Sequence, residues 1–316
     1  MKDFNIFACG GCGIDNLTNY MNTGKQSKFV DQVVALDFSR ATKVPDNLFE
    51  VVCPDDTEGS GSNKATNVEK VPDLIKRALS KVQPNKLNIV ISSASGGSGA
   101  VIAPYLIREL IEKGYPVLTF LVGDMTSIKE MNNTVGTLRS LDARVAMMNA
   151  PILFCYRANT HQNTQGAVNK EITAAIDSAL IMFNLTNNRI DYADVKNFFF
   201  FNKVVDADPI LTQLVFSDHQ QLAEYKRRPV AALSLFSDVD EITTPFENLL
   251  YRKAGIFSEH TKGYVGGLHA ILDHGSTVGE VEAMIKEQET KLSSLAGSFK
   301  SEKKVSVGAT ESGDFL

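Results

Sequence analysis

Cysteine is scarce in this 316-residue chain: Cys9, Cys12, Cys53 and Cys155 are the full complement, too few for a disulfide scaffold at this length. Cys9 and Cys12 form a CxxC, but no second CxxC or histidine cluster completes a tetrahedral ligand set. The pair therefore reads as small residues in a loop where backbone matters more than thiol, and no protein metal site is expected. His161, His219, His260, His269 and His274 show no HExxH or paired spacing and read as core or surface residues. No apolar run approaches the roughly 20 residues of a bilayer-spanning helix. Met1-Lys2-Asp3-Phe4-Asn5-Ile6-Phe7 leads into a glycine turn without the apolar segment of a secretory signal, so a cytoplasmic location and no membrane partner are expected. Positive charge is not in excess either. With 32 Lys and Arg against 37 Asp and Glu, the net charge is −5, which provides no broad footprint for direct nucleic-acid binding.

What is present is an ordinary globular composition, 43% hydrophobic and 22% charged, in a chain long enough for one large or two ordinary domains. Phe4 to Ala8, Val33 to Phe38, Leu87 to Ser92 and Val117 to Val122 read as strands. Several are continuously apolar, as buried parallel strands are. Amphipathic stretches such as Val71 to Val82 and Val101 to Lys113 lie between them, and this alternation predicts a doubly wound parallel sheet. A helix over about Gln165 to Asn184 comes next, then strands at Val230 to Phe236 and Gly267 to Leu272 and a charged amphipathic helix from Val278 to Leu295. The expected α/β organisation is a nucleotide-binding domain over 1–164, a central helix over 165–186, a smaller α/β domain over 187–300, and a flexible tail over 301–316. Phe198 to Phe201, four consecutive aromatics, read as a buried strand or helix start.

Four glycine-bearing loops follow or flank the predicted strands: Ala8 to Gly13, Gly59 to Asn63, Ala94 to Gly99 and, weakest, Val122 to Asp124. Glycine permits the positive φ angles and close approach by which successive N–H groups cradle an anion. The third loop joins an apolar strand to a helix beginning near Ala100, whose N-terminus adds partial positive charge. Gly10, Gly11, Cys12 and Gly13, Gly61, Ser62 and Asn63, and Ser95, Gly96, Gly97, Ser98 and Gly99 are accordingly the candidate phosphate-binding residues. No Walker GxxxxGK-[ST] is present, since Gly24-Lys25-Gln26-Ser27 lacks the preceding glycine. The dinucleotide fingerprint GxGxxG stops at Gly11 and Gly13, with Asn16 in the third place. Asp37, at the end of the second predicted strand, nevertheless suits a ribose and keeps an NAD-dependent oxidoreductase as a rival.

A second constellation is Asn188-Arg189-Ile190-Asp191-Tyr192-Ala193-Asp194-Val195. On a helix, carboxylates three apart share a face, where they can polarise a water or help hold a cation. Equally, either aspartate can cap the next helix.

Asp191-Tyr192-Ala193-Asp194-Val195-Lys196 resembles the second half of the catalytic loop of bacterial FtsZ, of the type N-x-D-F-A-D-V-K. Arg189 stands where that pattern has its Asn. Ser95-Gly96-Gly97-Ser98-Gly99-Ala100 is similar to the GGTG signature of the tubulins, with Ser98 for threonine and Val101 for the final glycine. Gly59-Ser60-Gly61-Ser62-Asn63 resembles the GAGAN loop, and Gly166-Ala167-Val168-Asn169 the start of the central helix. In order and spacing the chain resembles the tubulin/FtsZ superfamily from residue 5 to about 200, and its short length is most like the bacteriophage-encoded tubulins. The resemblance implies a GTPase that binds GTP and GDP with Mg²⁺ held mainly by phosphate oxygens and water. Asn159 and Asn169 would read guanine, and Asp191 and Asp194 would activate water for the neighbouring subunit. It further implies a head-to-tail homopolymer that positions phage DNA or capsids in the host, with capsid or a DNA-binding adaptor as partner, or a plasmid-segregation filament. The tail, ending Phe315-Leu316, would fold onto the next subunit.

Overall fold

In the computed structural model, which describes residues 2–45, 48–219, 221–244, 246–258, 267–273 and 277–302, the amino-terminal half alternates strand and helix as its apolar runs predict. β1 (Phe4–Cys9) enters α1 (Gly10–Asn22) directly and is followed by β2 (Val30–Leu36), β3 (Glu50–Val52), α2 (Val71–Lys81) and β4 (Leu87–Ser93). α3 (Ser98–Glu112), β5 (Val117–Asp124), α4 (Ile128–Met148), β6 (Ile152–Asn159) and α5 (Gln165–Phe183) continue the alternation. After α6 (Tyr192–Phe199) come β7 (Leu211–Asp218), β8 (Pro229–Phe236), β9 (Tyr251–Ile256), β10 (Leu268–Asp273) and α7 (Thr277–Glu302).

The strands form one ten-stranded sheet in the order β3-β2-β1-β4-β5-β6-β7-β10-β8-β9. Pairing is parallel throughout except at β10, which runs antiparallel between β7 and β8. The second half thus extends the first sheet, through the parallel pairing of β6 with β7. Cys9 pairs with both Leu36 and Ser92, and Ser93 with Val122. This register leaves the carboxyl ends of β1, β2, β4 and β5 nearly level, and the turns after them share one edge, where ligands of parallel α/β sheets bind.

Several expectations need correcting. Gly10 to Gly13 are not a loop but the first turn of α1, because β1 passes into helix at a Gly10 with φ of 73°. Val122 to Asp124 are the last residues of β5; Gly123 is there because a Cβ would overlap the Tyr156 hydroxyl. α3 starts at Ser98, two residues before Ala100, and the second strand ends at Leu36, leaving Asp37 just beyond it. The carboxy-terminal helix continues to Glu302. The tail over 303–316, with Phe315 and Leu316, lies outside the described residues, as do His260 and His274.

The four aromatics Phe198 to Phe201 are all buried. Phe183 at the end of α5 meets Phe199 edge-on at 5.3 Å between ring centroids, Phe198 at 6.0 Å and Phe216 of β7 at 6.2 Å. Such aromatic pairs add directional packing to area burial, so the far end of α5 is anchored in the core. α7 is tied back by Arg139 of α4 to Glu282 at 2.6 Å, and by Arg227, which forks between Asp273 at 2.9 Å and Glu280.

His269 of β10 is fully buried, its Nδ1 2.8 Å from Ser234 Oγ. Burial, with His219 and Arg252 adding and Asp218 opposing, lowers its pKa from 6.5 to about 4. The unfolded chain therefore takes up this proton first on acidification. Stability is complete above about pH 6.5 and falls as the pH drops towards 4, by about 2 kcal/mol at pH 5. Urea unfolding of wild type and His269→Gln at pH 7.5 and pH 5 checks this: the variant should lose distinctly less, and equal losses would refute the assignment.

Candidate functional site

The sheet edge carries a cavity of about 360 Å³ into which three of the four glycine segments converge. Gly10, Gly11 and Cys12 come from the first turn of α1, Gly59 to Ser62 from the loop after β3, and Gly96 to Gly99 from the turn into α3. Cys9, Asp37, Ser39, Thr42, Glu58 and Ser93 complete the lining.

Close approach explains the glycines. A Cβ on Gly10 would lie 2.6 Å from Gly99 N, and one on Gly99 would lie 2.5 Å from Cys9 O. One on Gly97 would lie 2.7 Å from Ser60 Cβ. Gly13 does not line the cavity; it lets α1 pack onto β4, where a Cβ would come 2.5 Å from Ile91 O. Ser95 also lies behind the lining, buried, with its hydroxyl 3.0 Å from that of Ser93. Asn63 is outside it too, its side chain accepting from Ala65 N at 3.0 Å.

Helix capping marks what this cavity accepts. α4, α5 and α6 start at Ser127, Thr164 and Asp191, each side chain accepting a first-turn N–H. α1 and α3 both open at the cavity, have no side-chain cap and carry no acid in the first turn. α2 also lacks a cap but continues from a 3-10 turn at Val68–Lys70. The first N–H groups of a helix have no intrahelical acceptor, so two sets of orphan donors face one space, suited to a multiply charged anion.

Among the described residues no Lys, Arg or His lines the cavity, whereas the acidic residues Asp37 and Glu58 do. Burial raises the Asp37 pKa, while Phe38 N donates to its Oδ1 at 2.7 Å. Burial also pushes the Cys12 thiol up to about 12 and the Cys9 thiol well above its ordinary range, so both remain thiols at neutral pH. No three His, Cys, Asp or Glu side chains among the described residues cluster to hold a metal ion.

Asn159 and Asn169 are not among the residues that line this cavity. Asn159 ends β6 opposite Asp124, to whose carboxylate it donates at 3.4 Å. Asn169, in the first turns of α5, lines a second cavity together with Asn19 of α1 and Gly166. The Oδ1 atoms of Asn159, Asn169 and Asn16 are buried without a hydrogen-bond partner. Unpaired buried acceptors are costly, and an exogenous donor would relieve them. Asn16, which sequence reading treated only as a missing glycine, shares the unpaired buried oxygen and lies on α1, the helix that opens at the cavity. Thr42, Glu58 and Ser39 were missed altogether, because nothing in their spacing marks them.

Asp191 and Asp194 lie at the opposite end of α5. They form a reciprocal capping box: Asp191 accepts from Asp194 N at 2.9 Å, and Asp194 from Asp191 N at 3.3 Å. The capping role is therefore real, and their environments differ. Asp191 is exposed, whereas Asp194 is 8% exposed and accepts from Lys253 Nζ at 2.9 Å and Tyr251 hydroxyl at 3.3 Å. Arg189 holds a left-handed φ of 79°. Asn188 just before it exchanges two backbone hydrogen bonds of 3.0 Å with Ile256, which fixes the approach to the helix.

Residues 190–274 match the family model of the phage tubulin-like protein C-terminal domain. Over 91% of this chain and 89% of the relative, the sequence is 26% identical to a phage tubulin-like protein of Pseudomonas phage 201phi2-1. The fold matches a PhuZ201 filament structure with a TM-score of 0.83 at 22% identity, and phage tubulin PhuZ with GDP at 0.82 and 23%. Each structural match covers 100% of this chain and 96% of the other. The domain match, the sequence likeness over nine-tenths of the chain and the shared fold agree with one another: this chain is similar to the phage tubulin-like proteins and has their fold.

Proposed function

We propose that this chain is a filament-forming GTPase whose active site is completed between subunits. The observation that carries the reading is the cavity itself, where two uncapped helix N-termini and the 59–62 loop offer backbone donors to one anion. Three phosphates in a row suit that surface better than a single one. The likeness to phage tubulins, one of them a GDP complex and another a filament, supports guanine nucleotide and self-assembly together.

In this reading residues 1–164 bind nucleotide, α5 within 165–186 spans the subunit, and 187–300 present the catalytic loop. The unpaired Asn159 and Asn169 oxygens fit the N–H groups of a guanine edge, which adenine does not reproduce. Mg²⁺, with no cluster of acids for a protein cage among the described residues, would be held by phosphate oxygens and water, in keeping with its hydrated octahedral preference. It would supply charge neutralisation on the phosphates.

α5, at 19 residues, is about 28 Å long. One subunit therefore keeps its phosphate cradle and its Asp191 apart, and head-to-tail stacking unites them across a heterologous contact that propagates without closing. Asp191, exposed, is the carboxylate that reaches the neighbour's water. Asp194, held by Lys253 and Tyr251, sets the loop that carries Asp191. The cargo that fits the phage likeness is phage DNA or capsids in the host cytoplasm, through an adaptor or the capsid itself, because the net charge of −5 does not favour direct DNA contact.

The test is phosphate release with GTP and Mg²⁺ at rising protein concentration, followed beside light scattering. A steep threshold shared by both signals is expected. Release strictly proportional to protein, without scattering, would mean a self-contained site and overturn the proposal; scattering without release would mean a filament protein that is not a GTPase.

A further inference from the structure

Among the described residues the phosphate cradle is lined by two acidic residues, Asp37 and Glu58, and by no cationic one, an unfavourable field for a polyphosphate. The compensating charge lies one residue beyond the second glycine loop. Lys64 reaches α4, where its ammonium donates to Thr137 Oγ1 at 2.6 Å and to the Asn133 carbonyl. Both acceptors are neutral, and no carboxylate among the described residues pairs with it. Burial alone lowers its pKa from 10.5 to about 8, the mark of a cation partly stripped of water with no anion in return.

The same two α4 residues bind both loops. Asn133 Nδ2 donates to Ser95 O at 3.0 Å and to Ser62 O at 3.4 Å, one carbonyl from each loop. Thr137 Oγ1 donates to Ala94 O at 2.6 Å. The loops themselves touch through the Ser60 and Ser98 hydroxyls, 3.2 Å apart. α4 thus grips both loops from behind, and the tightness around Gly97 leaves little room for either to move.

We propose that Lys64, Asn133 and Thr137 are positioning residues of the cradle: through them α4 sets the spacing of the two glycine loops, and the unpaired Lys64 charge selects ligands by their number of phosphates. This inference rests on the reading of the cavity as a nucleotide site. The two functions separate by chemistry. Asn133 supplies geometry only, so its loss weakens all guanine nucleotides alike. Lys64 supplies charge, so its loss weakens GTP most and GMP least.

Calorimetric titration of GTP, GDP and GMP, below the assembly threshold, into wild type, Lys64→Met, Lys64→Gln and Asn133→Ala tests this, with melting of each ligand-free protein alongside. Either Lys64 variant should bind GTP about tenfold more weakly and GMP about twofold more weakly. Its ligand-free melting temperature should equal or exceed that of wild type, since a desolvated unpaired cation has been removed. Asn133→Ala should weaken the three ligands by one common factor. If wild type binds none of them, the nucleotide reading falls and this inference with it. If wild type binds and the Lys64 variants keep its GTP-to-GMP affinity ratio, or lose affinity only in step with a lowered melting temperature, the inference alone falls.

Discussion

Asp191→Asn is expected to assemble with GTP and to release phosphate at least about 10²-fold more slowly than wild type, the usual scale for losing a group that positions or polarises the attacking water. The choice of Asn follows from the geometry. Asp191 caps α6 by accepting from Asp194 N at 2.9 Å, and removing such a cap costs about 1 kcal/mol. Asn is as good a cap as Asp, so the substitution removes the charge while leaving the capping bond, whereas Asp191→Ala removes both. A rate loss shared by Asn and Ala identifies the carboxylate; a loss seen only with Ala identifies the cap. Asp191 is exposed in the single subunit. Equimolar mixing with a subunit that has Asp191 but an impaired cradle should then restore part of the phosphate release, because the intact pocket of one meets the carboxylate of the other. No recovery in filaments shown to contain both chains would sink the shared site.

Gly97→Ala is expected to weaken GTP and GDP binding by roughly 10²-fold, about 2.7 kcal/mol, with a much smaller effect on the fold. Gly97 has φ of −87°, which any residue adopts, so the substitution introduces no backbone strain. The added Cβ would instead lie 2.7 Å from Ser60 Cβ, 3.1 Å from Ser62 Cα and 3.2 Å from Asn63 N. Two of those are backbone atoms of the opposite loop, which must move to admit it, and the cradle opens along the line that α4 otherwise holds. Gly10→Ala is the more damaging comparison: φ is 73° and the Cβ would come 2.6 Å from Gly99 N, combining left-handed strain with overpacking. It should lower the melting temperature of the ligand-free protein as well as affinity. Titration of both nucleotides and thermal melting of the two variants distinguish these outcomes. Near wild-type affinity in Gly97→Ala would show that the loops separate freely and that their spacing does not set binding.

Legibility followed burial. β1, β4 and β5 are visible in the sequence because strands buried on both faces leave mostly apolar runs, FNIFAC, LNIVIS and VLTFLV, interrupted only by the buried polar residues Asn5, Asn88, Ser92 and Thr119. α5 is visible because Val168, Ile172, Ile176, Ala179 and Met182 lie on one buried face. β3 has only three residues, one of them fully buried, and β7 mixes half-buried with buried positions without a clean period, so neither rises above its surroundings. β9 has one fully buried residue, Gly255, whose role appears only in the structure: a Cβ there would come 2.6 Å from Asn188 O.

The sequence by itself determined the local chemistry: that buried strands alternate with helices, that glycine follows β1 and β4, and that two aspartates stand three apart after the central helix. Each depends on neighbours within a few residues, so it is written in spacing and composition. Only the tertiary structure decided how these parts meet. The level register of Cys9, Leu36 and Ser92 brings three glycine segments to one cavity. α4 binds loops 71 and 38 residues away through Asn133. Asp194 gains Lys253 and Tyr251 from a strand almost 60 residues on, leaving Asp191 as the exposed partner. Hydrogen bonds and ion pairs act over a few ångströms, whereas the chain separations they join are set by how the sheet stacks its strands, and no local pattern in a sequence encodes that order.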